Sequence, residues 1–226
     1  MAKIHGMAGE WARVRGSVLG LWPLGLGIFA AGFSFAVGIV CGLMLLGAIL
    51  FSLSLAFIGY ALVRGIRRVE SFFVGARGEE RVSSILKSLP ETYHVFNDYV
   101  ARGTHVDHVV VGPAGIFAVE TKYWRGRVTV EDGHILVDGH LPSRHPLKQV
   151  TREAALVKSA LADAPWTGVV TPVLAFASDT FCAGPAEIHG AVVLNSSDLA
   201  GCFATKRVAI QPDEVARLVS IMEANL

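Results

Sequence analysis

The run HVDHVVVGPAGIFAVETKYW, residues 105 to 124, sets two carboxylates and an amine, Asp107, Glu120 and Lys122, into an otherwise apolar stretch. Carboxylate oxygens suit a hard cation such as Mg²⁺ or Mn²⁺, and Mg²⁺ in particular is held by one or two carboxylates together with phosphate oxygens and water. A lysine beside them can position or deprotonate an attacking water, or balance charge on the phosphate. The chemistry these residue types suggest is metal-assisted hydrolysis of a phosphate ester.

That chemistry needs the two acids to be neighbours in space, and a hairpin can make them so. Gly112-Pro113-Ala114-Gly115 carries proline second and glycine fourth, as a type I turn prefers. If Val111 then faces Ile116, Asp107 falls opposite Glu120 and His105 opposite Lys122. Strand alternation puts Asp107, Glu120 and Lys122 on one face, and Val106, His108, Val110, Phe117 and Val119 on the other. Opposed like charges destabilise a strand pair, and a divalent cation offsets that repulsion. Two alternatives stay open at this point. A three-residue Pro-Ala-Gly loop with a bulge sets Asp107 opposite Thr121, and a solvated face would need Lys122 only as a counterion.

The elements around the hairpin read as an α/β fold. ARGEERVSSILKSL carries Val82, Ile85, Leu86 and Leu89 at helical spacing, and Glu79 shares their stripe while Glu80 projects away from it. Strand-forming runs follow at 93–100, 105–111, 115–122, 127–132 and 134–138, which predict an antiparallel meander. From Pro146, apolar residues at 147, 150, 154, 157 and 161 predict an amphipathic helix with Gln149 in its first turn. GVVTPVLAFAS and GAVVLN read as strands, and Pro212 opens a last helix. A mixed sheet flanked by helices is the expected core.

The other part of the chain is a block without Asp, Glu, Lys, Arg or His from Val18 to Val63. As one helix it would be about 69 Å long, against a hydrocarbon core of about 30 Å. Two membrane spans near 17–35 and 39–62 are expected, reversing within AAGFSFAVG, residues 30–38. The division is then a cytoplasmic segment 1–16, a two-span hairpin 17–63, a linker 64–73 and a soluble domain 74–226. Lys3, Arg13 and Arg15 precede the block and Arg64, Arg67 and Arg68 follow it, so the positive-inside rule puts both termini and the domain in the cytoplasm, behind a plasma or inner membrane. The spans hold no ionisable group, which argues for an anchor and against a transporter. Gly16 with Gly20 and Gly38 with Gly42 are small-xxx-small pairs that would permit self-association.

Composition removes further classes. Beyond Val63 the chain has 17 basic and 18 acidic residues, too even a balance for nonspecific coating of nucleic acid. Phosphate contacts must come from a local patch, for which Lys122, Arg125, Arg127, Arg144, Lys148 and Arg152 are the candidates. Cys41, Cys182 and Cys202 have no CxxC spacing, and His134, His140 and His145 lie in a loop-rich stretch without cysteine, so neither a disulfide framework nor a zinc site is suggested. No phosphate-binding P-loop, dinucleotide fingerprint or nucleophile elbow occurs.

GARGEERV, HVFNDYV, HVDHVVVGPAGIFAVETKYWRGRV and HPLKQVTREA together resemble the successive motifs of the nuclease-related domain, NERD, over roughly residues 74 to 195. That family is placed in the PD-(D/E)xK nuclease superfamily. The resemblance implies a restriction-endonuclease-like core and Mg²⁺-dependent cleavage of DNA or RNA. By residue, it implies that Asp107 and Glu120 hold metal and that Lys122 completes the Glu-x-Lys pair. Glu79 matches the glutamate of the first helix, and Gln149 a glutamine near metal-bound water or phosphate. Tyr123 stands where the family often has a small polar residue.

Overall fold

A computed structural model describes residues 1–162, 164, 166–204 and 207–224. The chain divides into an α/β unit, Met1–Glu10 with Gly75–Leu226, and a helical unit, Trp11–Val74. Along the chain run β1 (Lys3–His5), α1 (Glu10–Val40), α2 (Met44–Leu86), β2 (His94–Ala101), β3 (Thr104–Gly112), β4 (Gly115–Lys122), β5 (Val128–Glu131) and β6 (His134–Val137). After these come α3 (Pro146–Ala160), β7 (Val170–Phe176), β8 (Ala186–Ile188), β9 (Ala191–Asn195), α4 (Leu199–Ala204) and α5 (Pro212–Glu223).

The α/β unit is built on a seven-stranded mixed sheet in the order β1-β2-β3-β4-β7-β9-β8. Strands β2, β3 and β4 form the expected antiparallel meander. The meander ends there: β5 and β6 pair with each other in a separate two-stranded sheet, with one further bridge from Val128 to Phe181. The reason lies in the turn after Lys122, where Gly126 takes φ +101 and the Asp138 carboxylate accepts the Arg127 N–H at 2.8 Å. The chain is thereby redirected out of the main sheet. It returns through α3, and β7 pairs parallel to β4 from Ile116↔Val170 to Lys122↔Phe176, as a parallel neighbour reached by a helical crossover must.

Alternation along the strands feeds two cores. Val109, Val111, Ile116 and Ala118 pack with Ala154 and Val157 of α3 and with Val215 of α5. Val110, Phe117 and Val119 pack with Val82 and Leu86 of α2 and Phe203 of α4. One expectation fails here: Val106 joins Val109 in the first cluster and does not share a face with Val110. Phe96 and Tyr99, also three apart, join the same cluster. The pleat therefore slips at Asp98 on β2, which takes φ +50, and at Asp107 on β3.

The N-terminal segment is not separate. Its first ten residues belong to the α/β unit, with β1 pairing parallel to β2 through Lys3↔His94, Ile4↔Val95 and His5↔Phe96. Tight packing also marks the hairpin turn. A Cβ on Gly112 would lie 2.2–2.7 Å from ring atoms of Tyr93, whose side chain is buried. Gly112→Ala is therefore expected to cost about 1–3 kcal/mol by overpacking; thermal unfolding of the full chain checks this, and an unchanged midpoint would contradict it.

In the helical unit, contacts pair Gly16 with Phe72, Gly20 with Val69, Gly27 with Ile58 and Gly38 with Gly47, so α1 and α2 run antiparallel. The reversal is at Cys41–Leu43, not within residues 30–38. The expected turn stretch stays helical, with the Ser34 hydroxyl donating to the Ala30 carbonyl at 2.7 Å inside α1; Gly42 turns the chain at φ +67. The stretch 64–73 is helical as well, because α2 is continuous from Met44 to Leu86. Gly16, Gly20 and Gly38 are thus in contact with the other helix of their own chain. Both helices are long and apolar enough to cross a membrane.

Candidate active site

The Gly-Pro-Ala-Gly hairpin closes as a two-residue loop, with Gly112↔Gly115 and Val111↔Ile116 paired. The ladder between β3 and β4 continues in that register to His108↔Val119 and goes no further. Asp107 and Glu120 are the next residues on each strand, at the point where the strands part. The three-residue loop and its Asp107–Thr121 pairing are excluded.

Beyond His108 the β4 edge loses its backbone partner, and a side chain takes over. The Asp107 carboxylate accepts the Thr121 N–H at 2.7 Å. Asp107 therefore lies against the edge of β4, and this contact fixes its oxygens beside the backbone of Glu120 and Thr121. On the other side β4 stays paired to β7 as far as Lys122↔Phe176, so Glu120 and Lys122 are held by a parallel neighbour.

Glu120 is 3% exposed. The Lys122 ammonium donates to Glu120 Oε1 and to Gln149 Oε1 at 3.1 Å. Gln149 in turn donates through Nε2 to Glu153 Oε1 at 2.9 Å. Gln149 and Glu153 are one helical turn apart on α3, and a 3.6-residue period puts both over the sheet edge. Glu153 is a member of this hydrogen-bonded cluster that sequence reading missed. Its 4% exposure and its place four residues after Gln149 were the available signal, the second of which was visible in the sequence.

Glu79 approaches from α2. The Gly9 backbone N–H donates to its carboxylate, and it feels the charges of Asp98, Glu120 and Lys122. The contribution of Gly9 had no local sequence signal, since it depends on the N-terminal segment joining the sheet. Asp98, opposite Asp107 in the β2–β3 register, was also missed.

The electrostatics follow from crowding acids in a site of low hydration. Burial first, then Asp98 and Glu120, push the Glu79 carboxyl up to about 7. Burial, followed by the charges of Glu120 and Glu79, raises Asp107 well above the usual carboxylate range. Burial, then Glu120, pushes Glu153 up to about 8. Lys122 recurs as the neutralising neighbour of all three. On the far side of β3, His108 is buried, donates its Nδ1–H to Asn97 Oδ1 at 2.8 Å, and is held down to about 3 by loss of hydration.

Among the described residues no three His, Cys, Asp or Glu side chains converge to hold an ion. Mg²⁺ needs no dedicated all-protein cage: one or two carboxylates, water and substrate oxygens suffice. The donor chemistry fits that pattern, with two hard carboxylates, Asp107 and Glu120, set in a surplus of negative charge. The five residues that sequence reading assigned to chemistry, Glu79, Asp107, Glu120, Lys122 and Gln149, fall in one neighbourhood, linked by hydrogen bonds or direct electrostatic influence. His134, His140 and His145 do not join it.

In comparison with known proteins, residues 74–194 match the family described as the nuclease-related domain. No curated protein and no solved structure matches the chain.

Proposed function

Because the chain belongs to the nuclease-related domain family, we propose that it is a membrane-anchored, Mg²⁺- or Mn²⁺-dependent nuclease of the PD-(D/E)xK type, hydrolysing phosphodiester bonds of DNA or RNA. The observation that carries this reading is the parting of β3 and β4 at Asp107 and Glu120, with the Lys122 ammonium beside them.

Asp107 and Glu120 would hold the ion. When bound, Mg²⁺ supplies positive charge to the phosphate and acidifies a water. Lys122 has three N–H donors. Two are engaged by Glu120 and Gln149, which leaves one to hold the attacking water or a phosphate oxygen. Gln149 keeps the ammonium aimed, and Glu153 keeps Gln149 from flipping. Glu79, with its carboxyl at about 7, is suited to exchange a proton near neutral pH. The exposed Arg125, Arg144, Lys148 and Arg152 are available for the nucleic-acid backbone.

Membrane anchoring is supported by two helices of sufficient length and apolarity and by their outward apolar side chains, such as Phe29, Phe33, Phe35 and Ile39. The two ends of the apolar block lead into the same α/β unit, which is consistent with an even number of crossings. Both ends then lie on the cytoplasmic side, where the flanking lysine and arginines favour them. Tethering would raise the local concentration of a substrate that a near-neutral surface binds weakly.

The test is incubation of the full-length chain with single- and double-stranded DNA and RNA, with and without Mg²⁺ or Mn²⁺. Cleavage is expected only with metal. No cleavage of any substrate would replace this reading with a noncatalytic nucleic-acid- or protein-binding module.

A further inference from the structure

Between α1 and α2, at the end of the apolar block that leads to residues 64–68, lies a cleft of about 430 Å³. Its wall is of two kinds. Leu19, Pro23 and Phe57 make one part apolar, and Arg64, Arg67 and Arg68 line the rest. All three arginines are exposed, and none forms an ion pair among the described residues. Arg64 stacks over the Tyr60 ring at 5.6 Å. Glu70, the nearest acid in sequence, lines a different cleft, with Leu21 and Phe73.

Three unpaired guanidinium groups at the mouth of an apolar groove call for a ligand with an anionic head and a hydrocarbon body. Resting on the membrane-anchored reading above, we propose that this cleft binds an anionic phospholipid, its phosphate on Arg64, Arg67 and Arg68 and an acyl chain against Leu19, Pro23 and Phe57. Three points support a lipid over a free anion. The apolar wall continues directly from the cationic one. Trp22 and Tyr60, 57% and 60% exposed, are amphipathic rings of the type found at the headgroup level. Basic pockets between spans at the cytoplasmic face suit anionic headgroups. Phosphatidylglycerol, which carries the anionic phosphate and the acyl chains that this lining calls for, is the suitable probe.

The experiment is native mass spectrometry of the full-length chain, released from detergent after incubation with phosphatidylglycerol, with phosphatidylcholine of the same acyl chains, or with glycerol 3-phosphate. Phosphatidylglycerol is expected to be retained at least about tenfold over phosphatidylcholine, and glycerol 3-phosphate not at all. The combined Arg64→Gln, Arg67→Gln and Arg68→Gln variant should lose that preference. Leu19→Trp, which fills the groove and keeps every arginine, should lose it too. Equal retention of the two lipids, preference persisting in both variants, or equal binding of glycerol 3-phosphate would overturn the proposal. Alkaline extraction of membranes reads the anchor separately: a chain that stays in the membrane without lipid preference ends this inference alone, and one that washes off ends both.

Discussion

Lys122→Met is expected to destabilise the metal-free protein by about 3–5 kcal/mol, the usual consequence of removing one partner from a buried ion pair, and to abolish cleavage. The Lys122 and Glu120 side chains are 18% and 4% exposed, so water cannot take over the role of the lost ammonium. Glu120 would then face Asp107, Glu79 and Glu153 with no cation between them. Asp107→Asn is expected to act oppositely on stability. The amide oxygen can still accept the Thr121 N–H, while a charge that burial and Glu120 disfavour is gone. Its midpoint should equal or exceed that of the parent, whereas its cleavage rate should fall about 100- to 1000-fold, as when a group stabilising transition-state charge is removed. Thermal unfolding of both variants without metal checks the pair of signs. A Lys122→Met protein as stable as the parent would mean that the acids are not crowded as described.

Raising the pH from 6.5 to 8 is expected to lower the stability of the metal-free protein by on the order of 2 kcal/mol, and Mg²⁺ should restore it. Glu79 and Glu153 titrate at about 7 and about 8 in the folded chain, and near the ordinary glutamate value when unfolded. Through this window the folded chain therefore holds more protons than the unfolded one, and stability falls as pH rises. His108 works in the opposite direction and at lower pH. Held at about 3 in the fold, it withholds a proton that the unfolded chain accepts below about 6.5, so stability falls there as the pH falls. Above 6.5 that opposing contribution fades, and the acids dominate the slope. Because Asp107 must lose its proton to hold the ion, and ionised Glu79 and Glu153 add negative charge beside it, the rise in unfolding midpoint on adding Mg²⁺ should grow with pH. A shift of equal size at pH 6.5 and pH 8 in scanning calorimetry would refute the linkage.

The site was legible in the sequence to the extent that it depends on local patterns. Gly-Pro-Ala-Gly and the alternation on either side fix the hairpin register, and that register brings Asp107 and Glu120 to the same level. Pro146 and the spacing from Leu147 to Leu161 define α3, which carries Gln149 to Lys122. What was not legible depends on distant pairing. β1 is three residues, Lys3 to His5, with no pattern of its own; only its parallel pairing with β2 makes it a strand. Gly9 reaches Glu79 for the same reason. The slip of the pleat at Asp98 and Asp107 comes from a left-handed backbone at Asp98, a conformation that aspartate tolerates but does not advertise. The reversal at Gly42 was misplaced because Gly32, Ser34 and Gly38 also look like turn residues. Inside an apolar helix, glycine allows close contact and serine bonds back to its own turn.

The most direct test of the central claim compares cleavage rates of the full-length chain, Asp107→Asn and Glu120→Gln on the same nucleic acid in Mg²⁺. The parent should cleave and lose activity on chelation, and both variants should fall about 100- to 1000-fold while remaining folded. Cleavage that persists in both variants would contradict a site built on these two carboxylates.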